Sequence, residues 1–399
     1  MLVRSKVVAA LEAKKDQFAG YQTELRDTLE RYREALERLP SSTRLEIMAG
    51  FEEAEIPWPG ALPTQEHDRL HDAVVSFAYA GETWRSHDEA RAWAREILLN
   101  TPTFAVDGSQ IPPSRDFSVP VGAVQIGWFE NPHRPGAEYL KDLAFEILAP
   151  GELAEEADDG TSGDFPDWRV NLHRFELECR KIVEYIQTHA DASPPPLCFF
   201  DGSLVLSFAK NMRPAMRQRY VKAVTDMLQA SHGCRVPLVG YVDTSFARDL
   251  VTMLCHKDGL PPAPRLSDAA LLRPRMAWGD RSQVYVCARD DNVLPEYGPH
   301  SHGVCFVYLK TTGDSPPARV EFPGWLAGDE AELERVLNLV RAECIVGNGY
   351  PYPLETADAV AVIGLQDRER FYATFQQFAE KEGLTLRYSR KALSKRTRR

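Results

Sequence analysis

The chain has 399 residues, 44% of them hydrophobic and 26% charged, and carries a formal net charge of −11. This is the make-up of a soluble globular protein with one large domain and attachments. It has no run near the about 18 apolar residues that a membrane span needs. The acidic balance excludes indiscriminate DNA coating, which demands clustered Lys and Arg, but not a local basic groove. Met1 to Lys6 lacks the apolar segment of a signal peptide. The seven cysteines are scattered without a CxxC pair, so neither a disulfide framework nor a zinc site is indicated. A cytoplasmic location is expected.

Residues 4 to 39 read as one or two helices, with Val7, Val8, Leu11, Phe18, Tyr21, Leu25, Leu29, Tyr32 and Leu36 at three- and four-residue steps. Such a stripe packs within its own chain more often than it forms a dimer seam. Pro57-Trp58-Pro59-Gly60 with Pro63 reads as a linker, followed by a pair of amphipathic helices, the second opening with Ser86 and Glu89 in capping-box spacing. These features divide the chain into an N-terminal helical segment (1–56), a linker with a helical pair (57–100), a main body (101–386) and a basic tail (387–399). In the body, residues 151–167 read as an acidic exposed loop. Helices are expected at 171–187, 214–230, 245–255 and 329–346, and strands at 236–242, 283–288, 303–309 and 319–322. Strands mixed with helices, several of them consecutive, indicate an α/β fold with a mixed sheet covered by helices.

Two apolar runs end in the same tripeptide. Phe104-Ala105-Val106 leads to Asp107-Gly108-Ser109, and Leu197-Cys198-Phe199-Phe200 leads to Asp201-Gly202-Ser203. Each reads as a buried strand ending in a carboxylate, with Gly freeing the backbone to turn. Two such strands side by side hold two carboxylates over one spot, a repulsion that a hard divalent cation relieves. The plainer reading is a turn at each tripeptide; it suits one copy better than two. The helix before Asp201 offers Glu176 and Glu178. At 100° per residue they flank its apolar face about equally, so periodicity does not choose between them.

These residues resemble the NurA nucleases, partners of the HerA-type translocase in processing DNA ends. The resemblance runs through Phe104–Ile111 with Val119–Trp128, then Arg174-Phe175-Glu176-Leu177-Glu178 with Asp201–Phe208, then Gly349-Tyr350-Pro351-Tyr352-Pro353-Leu354 with Ala357-Asp358. It implies an RNase H-like sheet flanked by helices, with the N-terminal helices as an extension and residues 101–386 as the nuclease domain. It also implies a catalytic set of Asp107, Glu178, Asp201, Tyr350 and Asp358. Spacing from Arg174 favours Glu178 as the third carboxylate, with Glu176 its alternative. Four of these, Asp107, Glu178, Asp201 and Asp358, would hold Mn²⁺ or Mg²⁺, as two ions. The family commonly has His where this chain has Asp358, eight residues after Tyr350, a change that alters metal preference and weakens the case for activity.

By resemblance the activity is 5′-to-3′ exonucleolytic and single-strand endonucleolytic. It would serve DNA end resection, double-strand break repair and homologous recombination. The partners implied are DNA, a HerA-like hexameric ATPase and a second copy of the chain, with no membrane. No P-loop is present, so ATP-driven movement comes from a partner. Arg248 and Arg281 are weak candidates for phosphate contact, and Ser245 suits a helix N-cap. The His300-Ser301-His302 segment reads as a loop rather than a metal pair, and the basic tail is either solubilising or a nucleic-acid contact. Two other functions compete: a catalytically weakened scaffold of the translocase complex, kept open by Asp358, and a haloacid dehalogenase-type phosphotransferase. The latter normally has a second Asp where this chain has Ser203.

Overall fold

The structure is a computed structural model that describes residues 2–78, 83–114, 117–154 and 167–386. The basic tail lies outside the described residues, as does most of the acidic loop at 151–167. The chain forms two compact units, one from 1–84, 242–294 and 301–328, the other from 85–241, 295–300 and 329–399.

The first unit begins with two helices, Arg4–Glu12 and Lys15–Arg38. Only the C-terminal part of the apolar stripe is buried, at Tyr32, Ala35 and Leu36. Tyr32 donates its hydroxyl hydrogen to the Pro261 carbonyl at 2.8 Å. Val7, Val8, Leu11, Phe18 and Tyr21 stay exposed. The expected linker is a strand, Gly60–Pro63, because its backbone pairs antiparallel with Tyr285–Ala288. Its prolines fall at or beside the strand ends, where a missing N–H costs least. The sheet continues antiparallel through Val304–Leu309 to Ala318–Pro323. Where two amphipathic helices are expected, the described residues form a 3-10 turn, Gln65–Arg69, and one α-helix, His87–Leu98, the latter in the second unit. Its cap is Ser86, whose side chain accepts from the Glu89 N–H at 3.2 Å, while Glu89 reaches back to the Arg85 N–H.

The second unit carries five neighbouring strands of mixed direction. In chain order its strands are β1 (Thr103–Ile111), β2 (Gly122–Asn131), β3 (Leu140–Leu148), β4 (Leu197–Asp201) and β5 (Leu238–Val242). The spatial order is β3-β2-β1-β4-β5. The first three are antiparallel neighbours, whereas β4 runs parallel to both β1 and β5. This is the RNase H-like arrangement that the family resemblance implies. Helices α1 (His87–Leu98), α2 (Asp167–Thr188), α3 (Pro214–Cys234), α4 (Glu330–Val346), α5 (Tyr352–Ala361) and α6 (Leu365–Lys381) flank it. Helix α2 packs on α3 and on β1, α1 packs on α4, and α5 lies over β1 and β2.

The α5 seat depends on one residue. Gly127 of β2 pairs with Asp107 of β1, and a Cβ there would stand 2.7 Å from both the Ala361 nitrogen and Val360 Cγ1. Only a bare Cα lets α5 approach so closely. Gly127→Ala should therefore destabilise the protein by about 1–3 kcal/mol through overpacking, read as a lower urea midpoint at unchanged slope. An unchanged midpoint would mean that α5 is not seated on this strand.

Candidate active site

Parallel pairing of β1 with β4 sets Val106 opposite Phe200, so the next residues along, Asp107 and Asp201, are neighbours. Asp107 is not at a strand end as its sequence suggests. Strand β1 runs on to Ile111, with Gly108 and Ser109 still paired to Ile126 and Gln125. Gly108 serves clearance rather than a turn: a Cβ there would collide with Glu178 Oε1 and with Arg174 Cγ on α2. Asp201 does end its strand, and Gly202 follows with φ 137°.

Glu178 is buried on α2. Arg174, one turn earlier, donates Nη1 to Glu178 Oε1 at 2.7 Å and to the Gly108 carbonyl at 3.1 Å. Arg174 Nε is itself buried with no partner. Glu176 turns the other way and is gripped by Arg219 of α3 through Nε at 2.7 Å and Nη2 at 2.5 Å. What periodicity leaves open is thus separated by packing: Glu178 faces the two Asp residues, and Glu176 is committed elsewhere. Tyr350 donates its hydroxyl hydrogen to Asp201 Oδ1 at 2.9 Å. Its ring is held edge-on by Tyr241, with centroids 5.3 Å apart. Helix α5 brings Asp358 close enough to Asp107 to raise that carboxyl's hold on its proton.

The electrostatics follow from that crowding. Burial, and then the charges of Asp201 and Asp358, push the Asp107 carboxyl up to about 6, against the pull of the Gly108 N–H. Burial pushes Glu178 up to about 8; the Arg174 guanidinium opposes this, and Asp107 and Asp201 add to it. Asp201 is also raised, chiefly by burial and then by Asp358, while the Tyr350 hydroxyl and Arg174 pull it down. Among the described residues, no three His, Cys, Asp or Glu side chains already surround one point at ligand spacing. Arg174 and Tyr350 instead hold two of the carboxylates. The donor set nevertheless fits a hard divalent cation, being all oxygen, anionic and mutually repelling until a cation is present.

The other sequence candidates do not join this cluster. Arg281 is buried in the first unit, paired with both Glu66 oxygens at 3.1 and 2.6 Å, so it has no face to offer a phosphate. Arg248 donates to the Pro264 carbonyl at 2.8 Å. It also precedes the helix Asp249–Asp258, which therefore starts later than Ser245. Ser245 accepts from the Ala247 N–H instead of capping that helix. His302 stacks on Trp58 at 4.8 Å. No second carboxylate follows Asp201 on its loop; Ser203 bonds with Val205 there, which leaves the dehalogenase-type reading without its second acid. What sequence reasoning missed is Arg174 as the counter-charge of Glu178, although the four-residue step between them is an ion-pair spacing on any helix.

A strand pair presenting acids beside a helix-borne Glu, on an RNase H-like sheet, defines a metal-dependent nuclease. A NurA domain is matched over residues 101–363, well over half of the 399 residues. The chain belongs to the NurA family. Its fold is similar to the crystal structure of the NurA nuclease from Sulfolobus solfataricus, with TM-score 0.54, 14% identity, and coverage of 96% of this chain and 98% of that one. A structure of NurA with manganese is more distant at TM-score 0.40 and 10% identity, covering 70% and 89% of the two chains. The catalytic domain of human endonuclease V has TM-score 0.31 at 16% identity, covering 80% and 96%. No curated protein matches. Among the described residues no helix is long and apolar enough to cross a membrane.

The raised carboxylates give a pH signature. The folded pKa values of Asp107 and Glu178 lie above the ordinary values of 3.8 and 4.5, so between about pH 4 and 8 the folded state holds more protons than the unfolded one. Stability then falls as pH rises through that window. Metal-free protein should lose Tm from pH 5 to pH 8, and Glu178→Gln should flatten the upper part of the decline. Parallel curves for the two proteins would show that Glu178 is an ordinary, solvated acid.

Proposed function

We propose that this nuclease hydrolyses DNA phosphodiesters at the carboxylate cluster, with Asp107, Glu178, Asp201 and Asp358 holding two divalent ions, Mn²⁺ or Mg²⁺. The carrying observation is the convergence of Asp107, Asp201, Glu178 and Asp358 from four separate elements onto one repelling cluster. Divalent ions held by these four carboxylates would supply an activated water and charge relief for the phosphodiester and its departing oxygen. Strands β1 and β4 fix Asp107 and Asp201 on a rigid base. Arg174 keeps Glu178 turned toward them, and Gly108 leaves it room. The Tyr350 hydroxyl donates to Asp201 Oδ1, which orients that carboxylate. Asp358 stands in the position the family commonly gives to His, and an anionic oxygen there keeps the ligand set hard and oxygen-only.

In the cell we place the protein in the cytoplasm, as a homodimer on a HerA-like hexameric translocase. There it trims 5′ ends and single strands during DNA end resection for double-strand break repair. The family supports this reading, as does the lack of a P-loop in the sequence, which leaves translocation to a partner. Co-migration with such a hexamer on sizing chromatography at micromolar concentration is expected; separate elution of the two would remove the partnership.

Asp107→Ala and Asp201→Ala should each abolish Mn²⁺-dependent cleavage of oligonucleotides without loss of Tm, because each removes one member of a repelling pair. Near-normal turnover in either folded variant would remove the assignment. Asp358→Asn should lower activity most at limiting metal, whereas Asp358→His should retain it with a shift toward Mn²⁺. Wild-type rates for Asp358→Asn at limiting metal would remove Asp358 from the ligand set and leave it a helix residue only.

A further inference from the structure

The net charge of −11 conceals a cationic segment beside the site. From Gly202 to Thr225 the chain has no Asp or Glu but carries Lys210, Arg213, Arg217, Arg219 and Lys222, the last three of which pair with Glu296, Glu176 and Asp226. The segment leaves β4 directly after Asp201. Its first turn is pinned: Tyr297 donates its hydroxyl hydrogen to the Leu204 carbonyl at 2.9 Å and accepts from the Leu206 N–H at 3.1 Å. Leu204, Val205, Leu206 and Ala209 are all buried. Among them Phe208 stands out with 57% of its surface exposed. It lies on a short 3-10 turn, Ser207–Asn211, and is not loose. Its ring meets Tyr220 of α3 edge-to-face at 5.3 Å, Tyr220 meets Phe175 at 4.9 Å, and Phe175 meets Phe200 at 5.8 Å. Phe200 immediately precedes Asp201, and Phe175 follows Arg174. An exposed aromatic ring is thus held three ring contacts from the carboxylates. Lys210 and Arg213 flank it, both exposed.

A lone exposed Phe needs no explanation. A braced one inside an acid-free, lysine- and arginine-bearing loop that leaves the site is the combination that binds single strands: a ring for a base, cations for its phosphates. We infer that Phe208 is the stacking platform for a nucleobase of single-stranded DNA a few nucleotides from the scissile bond, with Lys210 and Arg213 contacting the backbone beside it. This rests on the nuclease reading above and deepens it, since it names the strand path and the form of substrate the path selects. Duplex DNA keeps its bases stacked on one another and has none to offer the ring.

The test is binding without cleavage, in Ca²⁺, of a fluorescent oligodeoxythymidylate and of the same strand with abasic sites throughout. Phe208→Ala should weaken binding of the intact strand about tenfold or more and leave the abasic strand unaffected. Phe208→Trp should bind like wild type, with its indole emission quenched by the intact strand only. Lys210→Gln should reduce the slope of log affinity against log salt by about 0.7. Equal losses on both strands, or wild-type affinity of Phe208→Ala for the intact one, would overturn the inference. The nuclease reading is judged separately, by Mn²⁺-dependent cleavage in the wild-type protein.

Discussion

The structure of the second unit turns on an electrostatic conflict that the fold imposes and does not itself resolve. Parallel pairing of β1 with β4 forces Asp107 against Asp201, and α5 adds Asp358 to the same place. With Glu178 buried behind them, burial and mutual repulsion raise the carboxyls of Asp107, Asp201 and Glu178 above the usual range and leave the site wanting cationic help. In the protein alone that help is partial. Arg174 supplies one positive charge to Glu178 and Tyr350 supplies one hydroxyl to Asp201. In the proposed function a divalent cation would supply the rest.

Close approach makes the arrangement possible. Two glycines, Gly108 and Gly127, stand where any side chain would push α2 or α5 away from the sheet. They belong to paired strands rather than to turns. Their effect is to bring a helix-borne acid down onto β1 from two sides, Glu178 by α2 and Asp358 by α5. The same close packing gives the acids their low-dielectric surroundings, so geometry and raised proton affinity have one cause.

Much of this was legible in the sequence, and the parts that were not share a reason. The repeated Asp-Gly-Ser after apolar runs located both acids and both strands, because burial and pattern are local properties. The turn expected after Asp107 was wrong: Gly108 answers to Glu178, seventy positions along the chain, and no local propensity registers that. Glu176 and Glu178 were equivalent on a helical wheel, and only Arg219, on another helix, separates them. Arg281 looked like a surface cation until Glu66, far away in sequence, was found to neutralise it. The proline-rich stretch at 57–63 read as a linker because the strand it pairs with lies more than two hundred residues later. The acid-free run at 202–225 is a local property too, but the ring contacts that brace Phe208 come from α2 and α3 and leave no local signal.

The central claim is that the carboxylate cluster holds protons until a cation replaces them. With Glu178 raised to about 8 and Asp107 to about 6, metal binding at pH 7 should release about one proton per chain, most of it from Glu178. Calorimetric titration of the protein with Mn²⁺ in buffers of different ionisation enthalpy measures that number directly. The account predicts release of about one proton by wild type, falling sharply in Glu178→Gln. Saturable binding with no proton released, equal in the two proteins, would contradict it.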